Sequence, residues 1–138
     1  MNILVFGDVI GQSGRHAVAS VLPRLRAAHA VDVVIANAEN LAHGRGVTRD
    51  TADELFAAGV DVLTTGNHVL DIKKGAELLG TEPRILRPLN YPPGLPGTGS
   101  ILLERGIVTI AVTNVMGRVF MREQFDDPFR ALETWLAT

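Results

Sequence analysis

A chain of 138 residues with 46% apolar content is long enough to bury one substantial core and leaves little room for a second domain. Its net charge of −2, with 20% charged residues, provides no basic field to attract phosphate backbones, so DNA binding is not expected. The absence of cysteine excludes disulfides, thiolate zinc sites and a cysteine nucleophile, so any metal must be held by oxygen and imidazole ligands.

The apolar run at residues 2–7 predicts a first strand that delivers Asp8 to a Gly-rich turn ending at Gly14. Ala17, Val18, Val21, Leu22 and Leu25 then recur at helical spacing and predict a helix over residues 15–28. A second strand, residues 31–36, delivers Asn37, Glu39 and Asn40 into a polar loop. That loop runs to Thr48, which suits a helix cap with Asp50 in the first turn and Gly59 at the end. The third strand, residues 60–65, leads into Gly66-Asn67-His68, and residues 71–79 read as a short helix closed by Gly80. Three successive β-α units imply a parallel sheet with right-handed crossovers.

Beyond this point the pattern changes. Ile85, Leu86 and Arg87 form a brief predicted strand, followed at residues 88–97 by a loop too rich in proline for a helix or a central strand. Residues 100–104 and 107–115 flank Arg105-Gly106 as a β-hairpin, whose antiparallel strands are expected to make the sheet mixed. Asp127 and Pro128 supply a cap and a first helical position, and Phe129, Leu132, Trp135 and Leu136 follow at spacings of three and four. The amino terminus lacks a cationic leader and no run approaches membrane-spanning length, so a cytoplasmic protein without membrane contact is expected.

Each of the three β-α strands ends in a polar cluster, at the sheet edge where α/β proteins hold their ligands. Each cluster also has a plainer reading. Asp8 is equally suited to accept hydrogen bonds in its turn, the segment from Asn37 to Asn40 to form a solvated loop, and Asn67 and His68 to satisfy neighbouring backbone groups. Taken together, the carboxylates, amides and imidazole suit hard or borderline divalent ions. Two ions sharing a bridging carboxylate would polarise a phosphoryl group and lower the pKa of water. His43 and Arg45 lie in a glycine-containing cationic loop that reads either as exposed or as a phosphate contact, and Arg118 is a further candidate for anion binding. His16 and His29 read as surface or boundary residues. The Gly7–Gly14 turn lacks the spacing of a dinucleotide fingerprint, Gly14-Arg15 is not a P-loop ending, and no Gly-x-Ser-x-Gly elbow is present.

Gly7-Asp8-Val9-Ile10-Gly11 with Gly14-Arg15, Asn37-Ala38-Glu39-Asn40 continuing to Gly46, and Gly66-Asn67-His68 occur here in order. They are followed by Arg87-Pro88-Leu89-Asn90-Tyr91-Pro92, by Asn114-Val115-Met116-Gly117-Arg118-Val119-Phe120 and by Asp126-Asp127-Pro128-Phe129. This ordered set resembles the YmdB-like branch of the calcineurin-like metallophosphoesterases. The resemblance implies a four-layered α/β sandwich carrying a dinuclear centre of iron or manganese, with zinc or magnesium as alternatives. It also implies hydrolysis of phosphodiesters, with 2′,3′-cyclic nucleotides foremost.

By motif, Asp8 and Asn40 would bind the first metal, Glu39 would bridge, Asn67 would bind the second, and His68 would donate a proton to the leaving oxygen. Ile10 stands where the wider superfamily carries histidine, which narrows the resemblance to this branch. Members are about twice as long as this chain, and their later half supplies histidines that complete both metal shells. Residues 1–138 are therefore expected to be the amino-terminal portion of one metallophosphoesterase domain, an incomplete domain whose carboxy-terminal metal-binding half lies outside this sequence. Weak metal affinity of this chain alone and an exposed apolar surface at the last helix follow as expectations. A non-catalytic phosphate- or nucleotide-binding regulatory domain on the same fold is the alternative, and a homo-oligomer stays open.

Overall fold

The computed structural model describes residues 1–138. Four short strands, β1 (Ile3–Asp8), β2 (Val33–Asn37), β3 (Val62–Thr64) and β4 (Ile85–Leu86), pair in parallel in the order β1-β2-β3-β4. Helices α1 (Gly11–His29), α2 (Arg49–Ala58) and α3 (Lys73–Thr81) connect them. Strand alternation sends Leu4, Phe6, Val34, Ala36, Leu63 and Ile85 to the helical side, where they pack with Val18, Leu22, Ala52, Leu55, Leu78 and Leu79. Ile35, Val62 and Leu86 point to the other side.

That second face is covered by the hairpin of β5 (Ser100–Arg105) and β6 (Val108–Thr113), through Ile101, Leu103, Ile110 and Val112. The expected mixed sheet does not form. β5 and β6 pair only with each other, from Ser100 opposite Thr113 to Arg105 opposite Val108. The chain leaves the two-residue β4 through Pro88, which has no N–H to extend a ladder, and the apolar inner face of the hairpin gains more by covering Val62 and Leu86. Polar ties hold the two sheets together at both ends. Asn114 Nδ2 donates to the carbonyls of Thr65 at 2.7 Å and Leu86 at 3.1 Å, and Arg105 Nη2 reaches Asp61 Oδ1 at 2.8 Å.

The helix ends follow local chemistry closely. Thr48 and Thr51 form a reciprocal capping box at the start of α2, and Gly59 ends it with φ of 104°. α1 starts four residues before the expected position because the Gly-rich turn becomes its first turn, with Gly11 N–H bonded to Asn40 O at 2.9 Å. α3 runs through Gly80 rather than stopping there.

The last helix, α4 (Pro128–Leu136), is capped by Asp127, which accepts from the N–H groups of Phe129 at 2.9 Å and Arg130 at 3.2 Å. None of its residues is buried, and Phe129 and Leu136 are exposed, in keeping with the apolar surface expected there. Its last turn shares a cavity wall with Ser100 and Leu102 of β5, placing the layers as helices, parallel sheet, antiparallel sheet, helix. Ile3 and Val5 of β1 also stay exposed, because the hairpin covers the sheet only from β2 to β4. No helix is long and apolar enough to cross a membrane.

Candidate metal centre

The polar clusters gather along the carboxyl edge of the parallel sheet. Asp8 closes β1 opposite Asn37 at the end of β2, and three residues further on Asn40 turns back towards it. Asn40 Nδ2 lies 3.0 and 2.9 Å from the two Asp8 carboxylate oxygens, so the proposed ligand pair for one ion is already in contact. Asp8 remains exposed and has lone pairs free for a cation.

Glu39 lies between this pair and the third strand end. Its Oε2 is buried and meets no hydrogen-bond donor, an arrangement that costs free energy unless a cation or a donor completes it. Gly66 makes room for this carboxylate. A Cβ built at Gly66 would lie 2.1 Å from Oε2 and 2.6 Å from Cδ of Glu39. The glycine of Gly66-Asn67-His68 thus lets the Glu39 carboxylate sit where it does, and its φ of −142° demands no left-handed freedom.

Tyr91 supports the same turn from beneath by donating its hydroxyl to Gly66 O at 2.9 Å and stacking on Phe125 with ring centroids 5.1 Å apart. Burial, reinforced by the Glu39 charge, pushes the Tyr91 phenol up to about 12. Tyr91 has no role legible in the sequence; its signals there are its place before Pro92 and Pro93 and its membership of the resembling stretch Arg87-Pro88-Leu89-Asn90-Tyr91-Pro92.

Asn67 and His68 open a 3₁₀ turn spanning Asn67–Leu70. His68 Nδ1 lies 2.8 Å from Asp71 Oδ2, and Arg45 Nε approaches the same oxygen at 3.4 Å. A proton on Nδ1 shared with Asp71 fixes the ring plane and leaves Nε2 free. Asp71, expected only as the start of a helix, thus holds the His68 ring, and the i, i+3 spacing of His68 and Asp71 was its one sequence signal. Arg45, Asn67, His68 and Asp71 line a cavity of about 380 Å³ together with Phe120 and Arg122.

Of the three expected substrate contacts, only Arg45 lines this cavity. His43 sits exposed in its loop at φ of 53°, and Arg118 turns away to Asp127 Oδ2 at 3.6 Å and to Phe125 O. Arg118 instead lines the cavity beside α4.

The donor set tests well against a hard or borderline divalent ion: Asp8, Glu39, Asn40 and Asn67 offer oxygen, and the unpaired Oε2 marks where positive charge is missing. It is also sparse. Two of the four donors are neutral amides, and nowhere do three histidine, aspartate or glutamate side chains converge.

Comparison with known proteins matches residues 4–138 to the family described as YmdB-like protein. The chain is 36% identical over 137 residues to the Bacillus subtilis protein named 2′,3′-cyclic-nucleotide 2′-phosphodiesterase, covering 99% of this chain and 52% of that protein. Its structure superposes with a TM-score of 0.91 on a hypothetical protein from Thermus thermophilus, 46% identical, covering 99% of this chain and 53% of that one. A novel phosphatase from Mycoplasma pneumoniae gives a TM-score of 0.89 at 31% identity, covering 98% and 50%. The chain spans about half the length of these relatives. Since the match runs through all three polar clusters and on past the hairpin to α4, the chain belongs to the YmdB-like protein family.

Proposed function

We propose that this chain forms one wall of a metal-dependent phosphodiesterase site that acts on small phosphodiesters, with 2′,3′-cyclic nucleotides as the foremost substrates. Asp8 and Asn40 would hold one divalent ion, Asn67 a second, and Glu39 would reach both. Iron or manganese is what the family resemblance implies, with zinc or magnesium as alternatives; of these, manganese and magnesium suit the oxygen donors of this chain. When bound, the ions supply charge that polarises the phosphoryl oxygens and makes water a better nucleophile at neutral pH.

The observation that carries this reading is Glu39 Oε2, buried, unpaired and pressed against the glycine that precedes Asn67 and His68. An unpaired carboxylate oxygen would be poorly tolerated there in a purely structural turn. His68 stands beside it. Its Nδ1 is held by Asp71 and the residue lines the cavity, so Nε2 of a protonated imidazole would hand its proton to the departing ribose oxygen, which otherwise leaves as a poor alkoxide. Arg45, paired with the same Asp71, lines the cavity and would contact the phosphate.

The test is hydrolysis of 2′,3′-cyclic AMP by the protein carrying this sequence, with manganese or iron present. His68→Ala is expected to lower kcat by about 10²–10⁴-fold while manganese uptake stays intact. Unchanged turnover in that variant would remove His68 from the mechanism, and hydrolysis indifferent to chelators would remove the metal. The neutral character of Asn40 and Asn67 favours a second reading, a nucleotide-binding regulatory domain that holds metal too weakly for chemistry. Nucleotide binding without metal uptake or turnover would support it.

A further inference from the structure

We propose that Phe120 is the base-recognition wall of this site, a stacking platform for the nucleobase of a substrate whose phosphate lies near His68, Arg45 and Arg122. This rests on the phosphodiesterase reading above and adds to it which part of the substrate is read, and by what.

The segment that carries Phe120 is held at both ends. Asn90, buried to 1%, donates through Nδ2 to Met116 O at 2.8 Å and Asp126 O at 2.9 Å, and its Oδ1 accepts from Met116 N–H at 2.9 Å. One side chain thereby pins the stretch from Met116 to Asp126. Phe125, stacked on Tyr91, anchors it a third time. The span between these anchors projects over the cavity, where Phe120 and Arg122 join Arg45, Asn67, His68 and Asp71 as lining.

Phe120 is unusual there in two independent ways. The residue is fully exposed, at 101%. Its backbone is left-handed, with φ of 64°, a region that bulky residues rarely occupy and that clusters at ligand sites. The aromatic ring is kept out of this chain's core, in an unfavourable backbone state, at the rim of a polar cavity. A flat π face beside a polar cavity of about 380 Å³ is what a nucleobase needs, because every base can stack on it.

The charge pattern points the same way. Arg45 is partnered by Asp71, and Glu123 lines the cavity beside Arg122, so acidic and basic side chains nearly balance. Attraction for a bare phosphate is correspondingly modest. Discrimination between a nucleotide and a simple sugar phosphate then falls to the exposed ring.

The experiment is an NMR titration of the chain, in manganese-free buffer, with adenosine 3′-monophosphate and separately with ribose 5-phosphate. The unmodified chain is expected to bind the nucleotide about tenfold more tightly than the sugar phosphate, with upfield ring-current shifts of the adenine protons. Phe120→Ala should abolish both the preference and the shifts while leaving ribose 5-phosphate affinity unchanged, and Phe120→Trp should restore them. Arg122→Ala should weaken both ligands alike.

A preference unaltered by Phe120→Ala overturns the platform and leaves the phosphodiesterase reading standing. Failure of the unmodified chain to bind either ligand at millimolar concentration likewise overturns the platform, whereas the phosphodiesterase reading falls only on its own test, hydrolysis with manganese or iron present. Concentration-dependent self-association that disappears in Phe120→Ala, without any base preference, overturns the platform in favour of a contact between copies.

Discussion

Replacing Gly66 by alanine separates packing from metal binding at this site. The new Cβ would meet Glu39 Oε2 at 2.1 Å, Cδ at 2.6 Å and Oε1 at 2.8 Å, whereas ordinary contact begins at 3.4 Å, so the carboxylate must retreat by more than 1 Å. The φ of −142° lies outside the left-handed region, so alanine needs no positive-φ freedom there. For stability, two effects oppose each other. Crowding a filled site costs about 1–3 kcal/mol, but moving Oε2 out of a buried position where it has no donor recovers about 1–3 kcal/mol. The net change in unfolding free energy is expected within about 1 kcal/mol.

Metal binding has no such compensation, because ligand distances tolerate only about ±0.2 Å. Manganese affinity should fall by at least about tenfold, a loss of about 1.4 kcal/mol or more. The assay pairs manganese titration, followed by the EPR signal of the free ion, with urea unfolding in chelator. Intact manganese affinity together with a stability loss of about 3 kcal/mol would overturn this account, showing Gly66 to be a packing residue and Glu39 to be no ligand. As a companion, Glu39→Gln should lose manganese and, in chelator, gain about 1 kcal/mol of stability.

Asn90→Ala removes three buried hydrogen bonds and should cost about 2–4 kcal/mol in urea unfolding, with faster proteolysis between Met116 and Asp126; cleavage unchanged in rate would mean the span is held otherwise. Tyr91→Phe leaves Gly66 O without its donor and should cost about 1–2 kcal/mol. The folded phenol sits at about 12 against an ordinary 10.0, so the folded state holds its proton more tightly and stability declines as pH rises from 10 towards 12. The phenylalanine variant should lack that decline, as unfolding at pH 8 and 11 would reveal. Glu82 is held below its ordinary 4.5 mainly by hydrogen bonds from Arg84, so its contribution is complete above pH 4.5 and lost as pH falls through the lower folded value. The stability gap between the unmodified chain and Glu82→Gln should therefore narrow from pH 7 to pH 3.

Much of the architecture was legible because the rules that wrote it are local. Thr48 and Gly59 bracket α2, Asp127 and Pro128 start α4, and each strand end delivers its polar residues where the apolar run stops. The order of Asp8, Glu39-Asn40 and Gly66-Asn67-His68 was likewise enough to place the chain in its family.

Which residue types stand at which strand ends and helix caps can be read along the chain, since periodicity and capping act within a few residues. That the hairpin forms a second sheet was settled in three dimensions, because it depends on which apolar face gains most by being covered. The same holds for the site. Asp71 on His68, Glu39 against Gly66, Tyr91 beneath that glycine and Asn90 holding the Phe120 segment are distances between atoms, most of them between residues far apart in the chain, and no local pattern encodes a distance. For that reason Arg118, plausible by charge, lies elsewhere, while Phe120 and Arg122 line the cavity.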